Sequence, residues 1–460
     1  PPRPTLFPYT PLFRSRCAQP ALLMQSEPSM PFAALDLHKK IVEAIVVDDQ
    51  SHTLHRDRFP ATGTALLHFA KRHLSPETSL ALEATTNTWA VVSLLQPFVK
   101  EVVPSNPLKT RAIAEARIKT DKVDAEVLVH LLRSDFLPRV WVPDPATQAL
   151  RHRSTERANL VADRTRLKNR IHSILHQRLI EAPTGDLFSR ANLQWLAALE
   201  LDPAGKQALC RDFRQLAHIE AESALITDEM ATNAYANPQI QLLMTIPGFD
   251  FAVAETVLAT LGDVTRFPTA DHAAAYFGLV PSTYQSGEHC YHGHITKQGR
   301  SHARWMLVQA AQHVGQHPGP LGVFFRRLAK KKNRNVAVVA TARKLVTIAW
   351  HVLKNNEPYR YAQPRTTEAK FSRLRVRATK VRRQGGNPKG QPRTKAYGSG
   401  HPTRGIPSLD QIYASGQIPP LGEQAPGELK MLEGYGLAEY AAQLRKAHRI
   451  PKNIGKSKPE

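Results

Sequence analysis

The sequence predicts an α/β domain with a mixed sheet, then a helical hairpin, then a mainly α C-terminal domain. Short β-branched runs predict the sheet, and long segments with apolar residues three and four positions apart predict the helices. After residue 360 the composition shifts to Gly, Pro, Lys and Arg. These patterns divide the chain into a leader at 1–29, the α/β domain at 30–145, a hairpin or coiled-coil linker at 146–238, the C-terminal domain at 239–360 and a basic tail at 361–460.

The α/β prediction rests on the order of elements in the N-terminal domain. FAALDL and IVEAIVV are apolar runs separated by a turn, and HTLHRDRF alternates as a third strand would. A helix over TALLHFAKRHL, a buried strand at SLALEAT, a helix at 87–99 and a strand at EVVPS follow. Three strands joined by turns, then alternating helices and strands, indicate a mixed sheet.

The helical predictions begin at Pro145. One long helix starts there and a second spans 205–235, which suggests an antiparallel hairpin. The basic face of the first helix fits either a solvated surface or contact with RNA or DNA. In the C-terminal domain we expect helices at 271–278, 301–315 and 335–354. The turn at Pro247–Gly248 predicts either a helix-hairpin-helix element that holds phosphate or a tight helix–helix corner.

Both ends of the chain are expected to lie outside the folded domains. Residues 1–29 lack an initiating Met and are broken by prolines, which predicts a non-native or disordered leader, with Met24 or Met30 as the start. Residues 361–460 hold 19 Lys and Arg against 7 Asp and Glu. That composition predicts a mostly disordered tail with a helix near 427–448.

Composition narrows the class of partner. The formal net charge of +23 and the pI of about 10.1 suit a polyanion, although a ribosomal-type or merely solubilised surface has the same charge. Cys17, Cys210 and Cys290 are too scattered for a disulfide framework or a zinc pair, which fits a reducing cytoplasm. No apolar run approaches the roughly 20 residues that cross a bilayer, so no membrane partner is expected.

Four acidic side chains stand in contexts typical of a metal-dependent nuclease. Asp36 ends the first strand, Glu83 interrupts an apolar strand, and Asp121 and Asp124 lie on one face at the start of a helix. Taken alone, Asp36 fits a turn former, Glu83 fits a strand-end residue paired with an Arg, and Asp121 fits a helix N-cap. Together they predict an RNase H-like site, because converging carboxylates are stabilised by hard cations. Two Mg²⁺ ions about 4 Å apart could activate an attacking oxygen and stabilise the leaving one.

ALDLHKK, LALEATTNTW and KTDKVDAEVLVHLL resemble the DEDD insertion-sequence transposases of the Piv/MooV-like, "IS one-ten" type. LLMTIPGFDFAVAETVLATLGD, GLVPSTYQSG and ARKLVTIAWHVL are similar to the C-terminal part of that family, so the resemblance covers about residues 32–360. It implies a RuvC-like N-terminal domain with an RNase H fold. In that domain Asp36, Glu83, Asp121 and Asp124 would be the catalytic, metal-binding tetrad.

The same resemblance points to Ser286, in the QSG element, as a catalytic nucleophile. A free serine hydroxyl is a weak nucleophile and needs a base or a metal-bound field, and Gly287 would allow close backbone approach to a phosphate. From the residues alone Ser286 is a turn residue, and Ser282 and Tyr284 are alternative hydroxyls. The implied reaction is attack by Ser286 on the scissile phosphate, with a transient phosphoserine and release of a 3′ hydroxyl.

The resemblance also implies the partners. These are double-stranded DNA at the element ends and target, a structured guide RNA from the element, and further copies of the chain in a dimer or tetramer, since the two halves of the site would come from different protomers.

Basic residues near the serine are candidates for phosphate contact. With the glycine of the turn, the candidate nucleic-acid-binding residues are Gly248, Lys297, Arg300, Arg304, Arg326, Arg327, Lys330, Lys331 and Lys332. His289, Cys290, His292 and His294 lack a second ligand pair at a zinc-like distance, so zinc is not expected as a cofactor. A nucleotide cofactor is not expected either.

Two other functions remain open at this point. A RuvC-like nuclease or junction resolvase would use only the four acids. A non-catalytic nucleic-acid-binding protein would bind without metal and without cutting.

Overall fold

The computed structural model describes residues 30–113, 121–381 and 403–451. Contacts divide it into two units, with the boundary between Val142 and Pro143, close to the predicted boundary at 145. The expected leader at 1–29 lies outside the described residues.

Unit 1 is built on a five-stranded sheet in the order β3-β2-β1-β4-β5. β1 pairs antiparallel with β2 and parallel with β4, which confirms the predicted mixed α/β architecture. The elements are β1 (Phe32–Leu37), β2 (Ile41–Val47), β3 (Thr53–Pro60), α1 (Gly63–His73), β4 (Ser79–Glu83), α2 (Thr88–Leu95), β5 (Glu101–Ser105), α3 (Pro107–Ile113) and α4 (Asp121–Arg133).

One predicted boundary in unit 1 is wrong. The helix expected at 87–99 ends as an α-helix at Leu95 and continues as a 3₁₀ turn over Gln96–Phe98. Pro97 explains the change, because proline has no N–H to donate to the carbonyl four residues earlier.

The sheet separates two apolar layers. On one face Ala33, Leu35, Leu80 and Leu82 pack with α1 and α2. On the other face Ala34, Ile45, Ala81 and Val103 pack with Ala125, Leu128, Val129 and Leu132 of α4. Successive strand residues point to opposite faces, so both layers follow from the apolar runs of β1 and β4.

Unit 2 is mainly helical. Its elements are α5 (Pro145–His176), α6 (Arg190–Ala198), α7 (Pro203–Ala236), α8 (Pro238–Leu243), α9 (Phe251–Leu261), α10 (Ala270–Tyr276), β6 (Pro281–Ser286), β7 (His289–Ile295), α11 (Ser301–Val314), α12 (Pro320–Lys331), α13 (Arg334–Asn355), α14 (Pro364–Thr379), β8 (Thr403–Ile406), α15 (Leu409–Ser415), α16 (Pro426–Gly434), α17 (Ala438–Leu444) and β9 (His448–Pro451).

The two long helices α5 and α7 form the predicted antiparallel hairpin. Leu167, Ile171 and Leu175 of α5 pack with Leu209 and Leu216 of α7. The hairpin is not an independent linker, because both helices also pack against α9 in the core of unit 2.

A buried ion pair joins the hairpin to that core. Glu255 of α9 is fully buried, and Arg153 Nε of α5 donates to its Oε1 at 2.8 Å. Asn233 Nδ2 of α7 donates to the other carboxylate oxygen at 3.0 Å. Burial raises the pKa of Glu255, and the two hydrogen bonds oppose that rise. The carboxylate therefore depends on its partners to stay charged inside unit 2.

We expect Arg153→Ala to lower the free energy of unfolding by about 3 kcal/mol at pH 8, because an unpaired buried charge is left behind. Arg166→Ala, which removes an exposed pair with Asp163, should change it by less than about 1 kcal/mol. Since the folded-state pKa of Glu255 is raised, the cost of its charge is absent at a pH below the unfolded value of 4.5 and grows as the pH rises above it. Urea unfolding of Arg153→Ala should therefore show a smaller loss of unfolding free energy at pH 5 than at pH 8. Equal losses in Arg153→Ala and Arg166→Ala would contradict the role of the buried ion pair.

The described part of the tail is folded, which corrects the expectation of a mostly disordered segment at 361–460. Leu374, Leu409, Ile412 and Tyr413 are buried in the core of unit 2. The Tyr413 hydroxyl donates to the backbone O of Tyr359 at 2.8 Å. These buried apolar residues are few, and the average composition of the segment, which is basic, does not reveal them. Residues 382–402 and 452–460 lie outside the described part.

The helix expected near 427–448 is two shorter helices, α16 and α17. The break falls between Gly434 and Ala438, where Gly436 adopts a positive φ of 66° that glycine allows without strain.

Among the described helices, α13 is long and apolar enough to cross a membrane by length and composition. Its residues Ala342, Leu345, Val346 and Ala349 are fully buried in the core of unit 2. This is how a core helix packs, and it accounts for the apolar composition.

Candidate active site

Asp36 and Glu83 lie side by side at one end of the sheet of unit 1. β1 and β4 are parallel, and Leu35 is paired with Leu82, so the next residues are Asp36 and Glu83 at the carboxyl ends of neighbouring strands. Asp36 is 5% exposed and Glu83 is half-buried. Sequence reasoning placed Asp36 at the end of a strand and Glu83 within one; in the structure both lie at the ends of their strands, and the register makes them neighbours.

Both acids are on the face of the sheet that α4 covers. Ala34 and Ala81, two positions earlier on each strand, pack with α4. Because strand side chains alternate between faces, Asp36 and Glu83 share that face. Thus the apolar layer beneath α4 ends in acidic residues at the carboxyl edge of the sheet.

Two contacts fix the direction in which α4 crosses this face. Near its C-terminal end Arg133 Nη1 donates to the backbone O of Asp49, in the turn after β2, at 2.9 Å. Further toward its N-terminus Glu126 forms an ion pair with Arg56 of β3, which lies opposite Ile45 of β2. Since β2 is antiparallel to β1, the C-terminal end of α4 lies by the start of β1.

The N-terminal turn of α4 therefore points toward the strand ends that carry Asp36 and Glu83. This turn contains Asp121 and Asp124. Asp124 is half-buried and lies one turn before Leu128, which packs on the sheet. The backbone of Asp121 is described and its side chain lies outside the described part, so only its position at the first residue of α4 is established.

A third strand acid was missed by sequence reasoning. Glu43 of β2 is paired across the strands with Asp36, is 4% exposed, and forms an ion pair with Arg58 of β3, whose Nε lies 3.1 Å from Glu43 Oε1. The signal was present, because Glu43 interrupts the apolar run IVEAIVV just as Glu83 interrupts LALE. His38 was also missed; its Nε2 lies 3.0 Å from Asp36 Oδ2.

The donor set of this edge fits a divalent cation. Carboxylate oxygens from two parallel strands and the first turn of a helix are the ligands that Mg²⁺ prefers. Buried carboxylates that lie close together are destabilising without a cation or a basic partner, and Arg58 is the basic partner of Glu43. Asp36, Glu83, Asp121 and Asp124 are the residues that would hold the ion.

A second cluster of possible ligands lies on the opposite face of the sheet. Ligand atoms of His55, Asp57 and His73 all lie within 4.8 Å of one another. The two imidazole rings are stacked, with centroids 3.5 Å apart and planes at 15°. A metal bond lies in the plane of its imidazole, so two nearly parallel rings do not direct their lone pairs at one ion. The geometry favours ring stacking, continued by Phe69 against His73.

Ser286 belongs to unit 2 and ends β6 at the tip of an exposed two-stranded ribbon. It is paired with His289 of β7 across a two-residue turn. Gly287 in that turn has a φ of 57°, which suits the first central position of a type II′ turn. No atom would lie within 4 Å of a Cβ at Gly287, so the space beside Ser286 is open.

The alternative hydroxyls differ in their surroundings. Ser282 Oγ donates to the backbone O of His294 at 3.2 Å, which occupies it within the ribbon. Tyr284 is 67% exposed and its ring lies 6.5 Å from that of Tyr291 across the ribbon. Of the two serines, Ser286 is the one at the open tip.

Three of the arginines predicted to bind phosphate donate hydrogen bonds to oxygens of the protein. Arg300 Nη2 donates to Arg151 O at 3.3 Å and to Thr155 Oγ1 at 2.6 Å. Arg304 Nη1 donates to Phe277 O and Gln298 O. Arg326 Nη1 donates to Gly315 O and His317 O at 2.9 and 3.0 Å. Arg304 and Arg326 brace loops of unit 2, and Arg300 contacts α5. The candidates with exposed side chains are Lys297, Arg326, Arg327, Lys330, Lys331 and Lys332.

The Pro247–Gly248 turn is a tight corner between α8 and α9. Gly248 has a φ of 84°, and a Cβ there would lie 2.8 Å from the backbone O of Ala310 in α11. Lys370 of α14 braces the same corner, since its Nζ donates to Met244 O and to Ile246 O at 3.0 Å. Burial lowers the pKa of Lys370 to about 7. A tight corner thus accounts for the glycine at this position: Gly248 itself is exposed, but a side chain added there would meet Ala310.

We expect Gly248→Ala to destabilise unit 2 by about 2 kcal/mol, through both the positive φ and the contact with Ala310. Gly427→Ala is the matched control, because no atom lies within 4 Å of a Cβ there, and its effect should stay within about 0.5 kcal/mol. Thermal or urea unfolding measures both, and an unchanged Gly248→Ala protein would refute the packing role.

Two family models of known proteins match separate parts of the chain. A transposase family model of the DEDD type matches residues 33–179, and a model described as the transposase IS116/IS110/IS902 family matches residues 240–322. Together they cover half of the chain.

Three curated relatives illustrate the similarity. A probable family 20 transposase of Pseudomonas aeruginosa is 27% identical over 345 residues, which are 71% of this chain and 97% of that protein. The transposase for insertion sequence element IS1111A of Coxiella burnetii is 26% identical over 53% of this chain and 68% of its own length. The pilin gene-inverting protein of Moraxella bovis is 28% identical over 55% of this chain and 73% of its own length.

Proposed function

Since this chain belongs to the IS116/IS110/IS902 family of transposases, which catalyse DNA strand transfer, we propose that it recombines DNA with two half-sites. The first half-site is the acidic edge of unit 1, formed by Asp36, Glu83, Asp121 and Asp124. The second is Ser286 on the β6–β7 ribbon. The observation that supports this most directly is the convergence of strand ends and the first turn of α4 at one edge of the sheet.

The role of unit 1 in this proposal is to hold divalent metal at the scissile phosphate in a RuvC-like, RNase H-type domain. Bound Mg²⁺ supplies charge stabilisation for phosphodiester chemistry. Asp36 and Glu83 are fixed by strand pairing, and Asp124 by the packing of α4, so these ligands are held by regular structure rather than by loops. That rigidity suits a site that must align one phosphate repeatedly.

The role of unit 2 is to present the nucleophile. Ser286 Oγ would attack phosphorus, form a phosphoserine and release a 3′ hydroxyl. The open position at the ribbon tip supports this role, because a DNA backbone must approach the hydroxyl closely.

The proposed partners are DNA at the element ends and target, a structured guide RNA, and further copies of the chain. The net charge of +23 supports a nucleic-acid partner. Guide RNA and oligomer formation rest on the family resemblance, in which the two half-sites come from different protomers.

The test is a search for protein-linked DNA. The full chain, purified with any copurifying RNA, is incubated with Mg²⁺ and a duplex that carries the ends of its own insertion sequence. A covalent adduct whose peptide maps to Ser286, and which requires divalent metal, is the expected result. Cleavage of the duplex without any adduct would reject the serine mechanism and leave a nuclease that uses only the acids. Binding without cleavage at any metal concentration would reject catalysis altogether.

A further inference from the structure

The β6–β7 ribbon places more than the serine on one face. Residues directly opposite in an antiparallel pair share a face, and so do residues two apart on one strand. Ser286 is opposite His289, and Tyr284 is opposite Tyr291. All four side chains are therefore on the same face of the ribbon.

The opposite face carries a different set. Gln285 is paired with Cys290, and Thr283 with His292. Thr283 Oγ1 lies 3.1 Å from His292 Nδ1, so this histidine is engaged within its own face. Consequently His289 shares a face with Ser286, whereas His292 of the same strand lies on the other face.

His289 is close enough to act on the Ser286 hydroxyl. Opposite residues in an antiparallel pair have Cβ atoms about 4.5–5.5 Å apart, within reach of an imidazole. The two-residue turn at Gly287–Glu288 fixes this register. Both side chains are exposed, and among the residues that the structure describes neither is hydrogen-bonded to another protein group.

We propose that His289 is the general base of the serine step, an inference that rests on the proposed nucleophilic role of Ser286. The Ser286 hydroxyl gives its proton to the neutral imidazole, the Oγ–P bond forms, and the bond from phosphorus to the 3′ oxygen breaks. The leaving 3′ oxygen takes a proton from solvent, and the imidazolium returns its own proton to solvent. In the joining step a 3′ hydroxyl attacks phosphorus, loses its proton, and Ser286 leaves as the protonated hydroxyl.

The surroundings of His289 give this role a pH signature. The other titratable groups beside it are Tyr284 and Tyr291 on the same face and Glu288 in the turn. Histidine is the side chain whose charge ordinarily changes between pH 5 and pH 8. The rate of adduct formation should rise with pH in the wild-type protein, because only the neutral imidazole can accept the proton.

The experiment compares two matched variants of β7 on the full chain with its copurifying RNA and Mg²⁺. The duplex carries the ends of the encoding insertion sequence and a fluorophore at the 3′ end of the cut strand, so a phosphoserine adduct is fluorescent protein. His289→Ala should slow adduct formation by about 10²- to 10⁴-fold, the usual contribution of a general base. His292→Ala, on the other face, should change the rate by no more than about threefold, since it leaves the base in place.

Two further readouts separate proton transfer from a structural effect. His289→Ala should lose the rise in rate with pH, and added imidazole should restore part of the rate to this variant and none to His292→Ala. Equal losses in both variants, or a His289→Ala rate that matches wild type at every pH, would overturn the role of His289 while the Ser286 adduct still stood. Failure of the wild-type protein to form the adduct would remove the serine mechanism and this inference with it.

Discussion

Ser286→Ala should abolish protein-linked DNA and strand joining, with a loss of at least about 1000-fold, because alanine has no atom that can form the bond to phosphorus. The position is exposed at the tip of the ribbon, so the substitution should leave the melting temperature of the protein unchanged. Adduct formation on labelled duplex and recombination of a two-site plasmid measure the two activities.

Ser282→Ala is the matched control for this prediction. It removes a hydroxyl from the same strand, whose bond to the backbone O of His294 serves the ribbon rather than the substrate. Full adduct formation is expected. If Ser286→Ala still cut and joined DNA while Ser282→Ala did not, the nucleophile would have to be reassigned within β6.

Asp36→Asn should reduce strand cleavage by at least about 100-fold, through loss of a charged ligand worth several kcal/mol in metal catalysis. Asn keeps the shape of the buried side chain and removes its charge. Mg²⁺ should raise the melting temperature of the wild-type protein by mass action, and this rise should be smaller in Asp36→Asn. Cleavage titrated with Mg²⁺ and thermal unfolding with and without the ion measure the two effects.

Asp57→Asn offers the same substitution on the opposite face of the same sheet. It touches the stacked histidines and not the acidic edge, so cleavage should be retained. An Asp36→Asn protein with wild-type cleavage and an undiminished response to Mg²⁺ would show that the acidic edge does not hold the metal.

The sequence predicted the strands of unit 1 and the position of the acids for a physical reason. A carboxylate within an apolar strand, such as Glu83, is conspicuous because its burial needs a partner. The same reasoning applied to Glu43 would have found the third strand acid. What the sequence could not provide was register and docking, because the direction of α4 depends on distant pairs such as Glu126 with Arg56.

The prediction of which basic residues bind phosphate was weaker, because an arginine can donate hydrogen bonds to backbone carbonyls as well as to phosphate. Arg300, Arg304 and Arg326 have the same charge in sequence as Arg327, yet the first three are bound to protein oxygens. The tail shows a similar limit. Its average composition predicts disorder, whereas a few residues such as Leu409 and Tyr413 decide that its described part folds.

The packing of the tail has a practical consequence for anyone seeking a minimal recombinase. The second family model ends at residue 322, within α12, so the chain could be shortened after α13 without removing any matched residue. Cutting there would uncover the apolar surface that Leu374, Leu409 and Tyr413 seal, and would delete the Lys370 brace beneath the corner before α9. A chain shortened in this way is expected to aggregate into inclusion bodies. Its lack of activity in a screen would then result from poor solubility and not from loss of the catalytic residues.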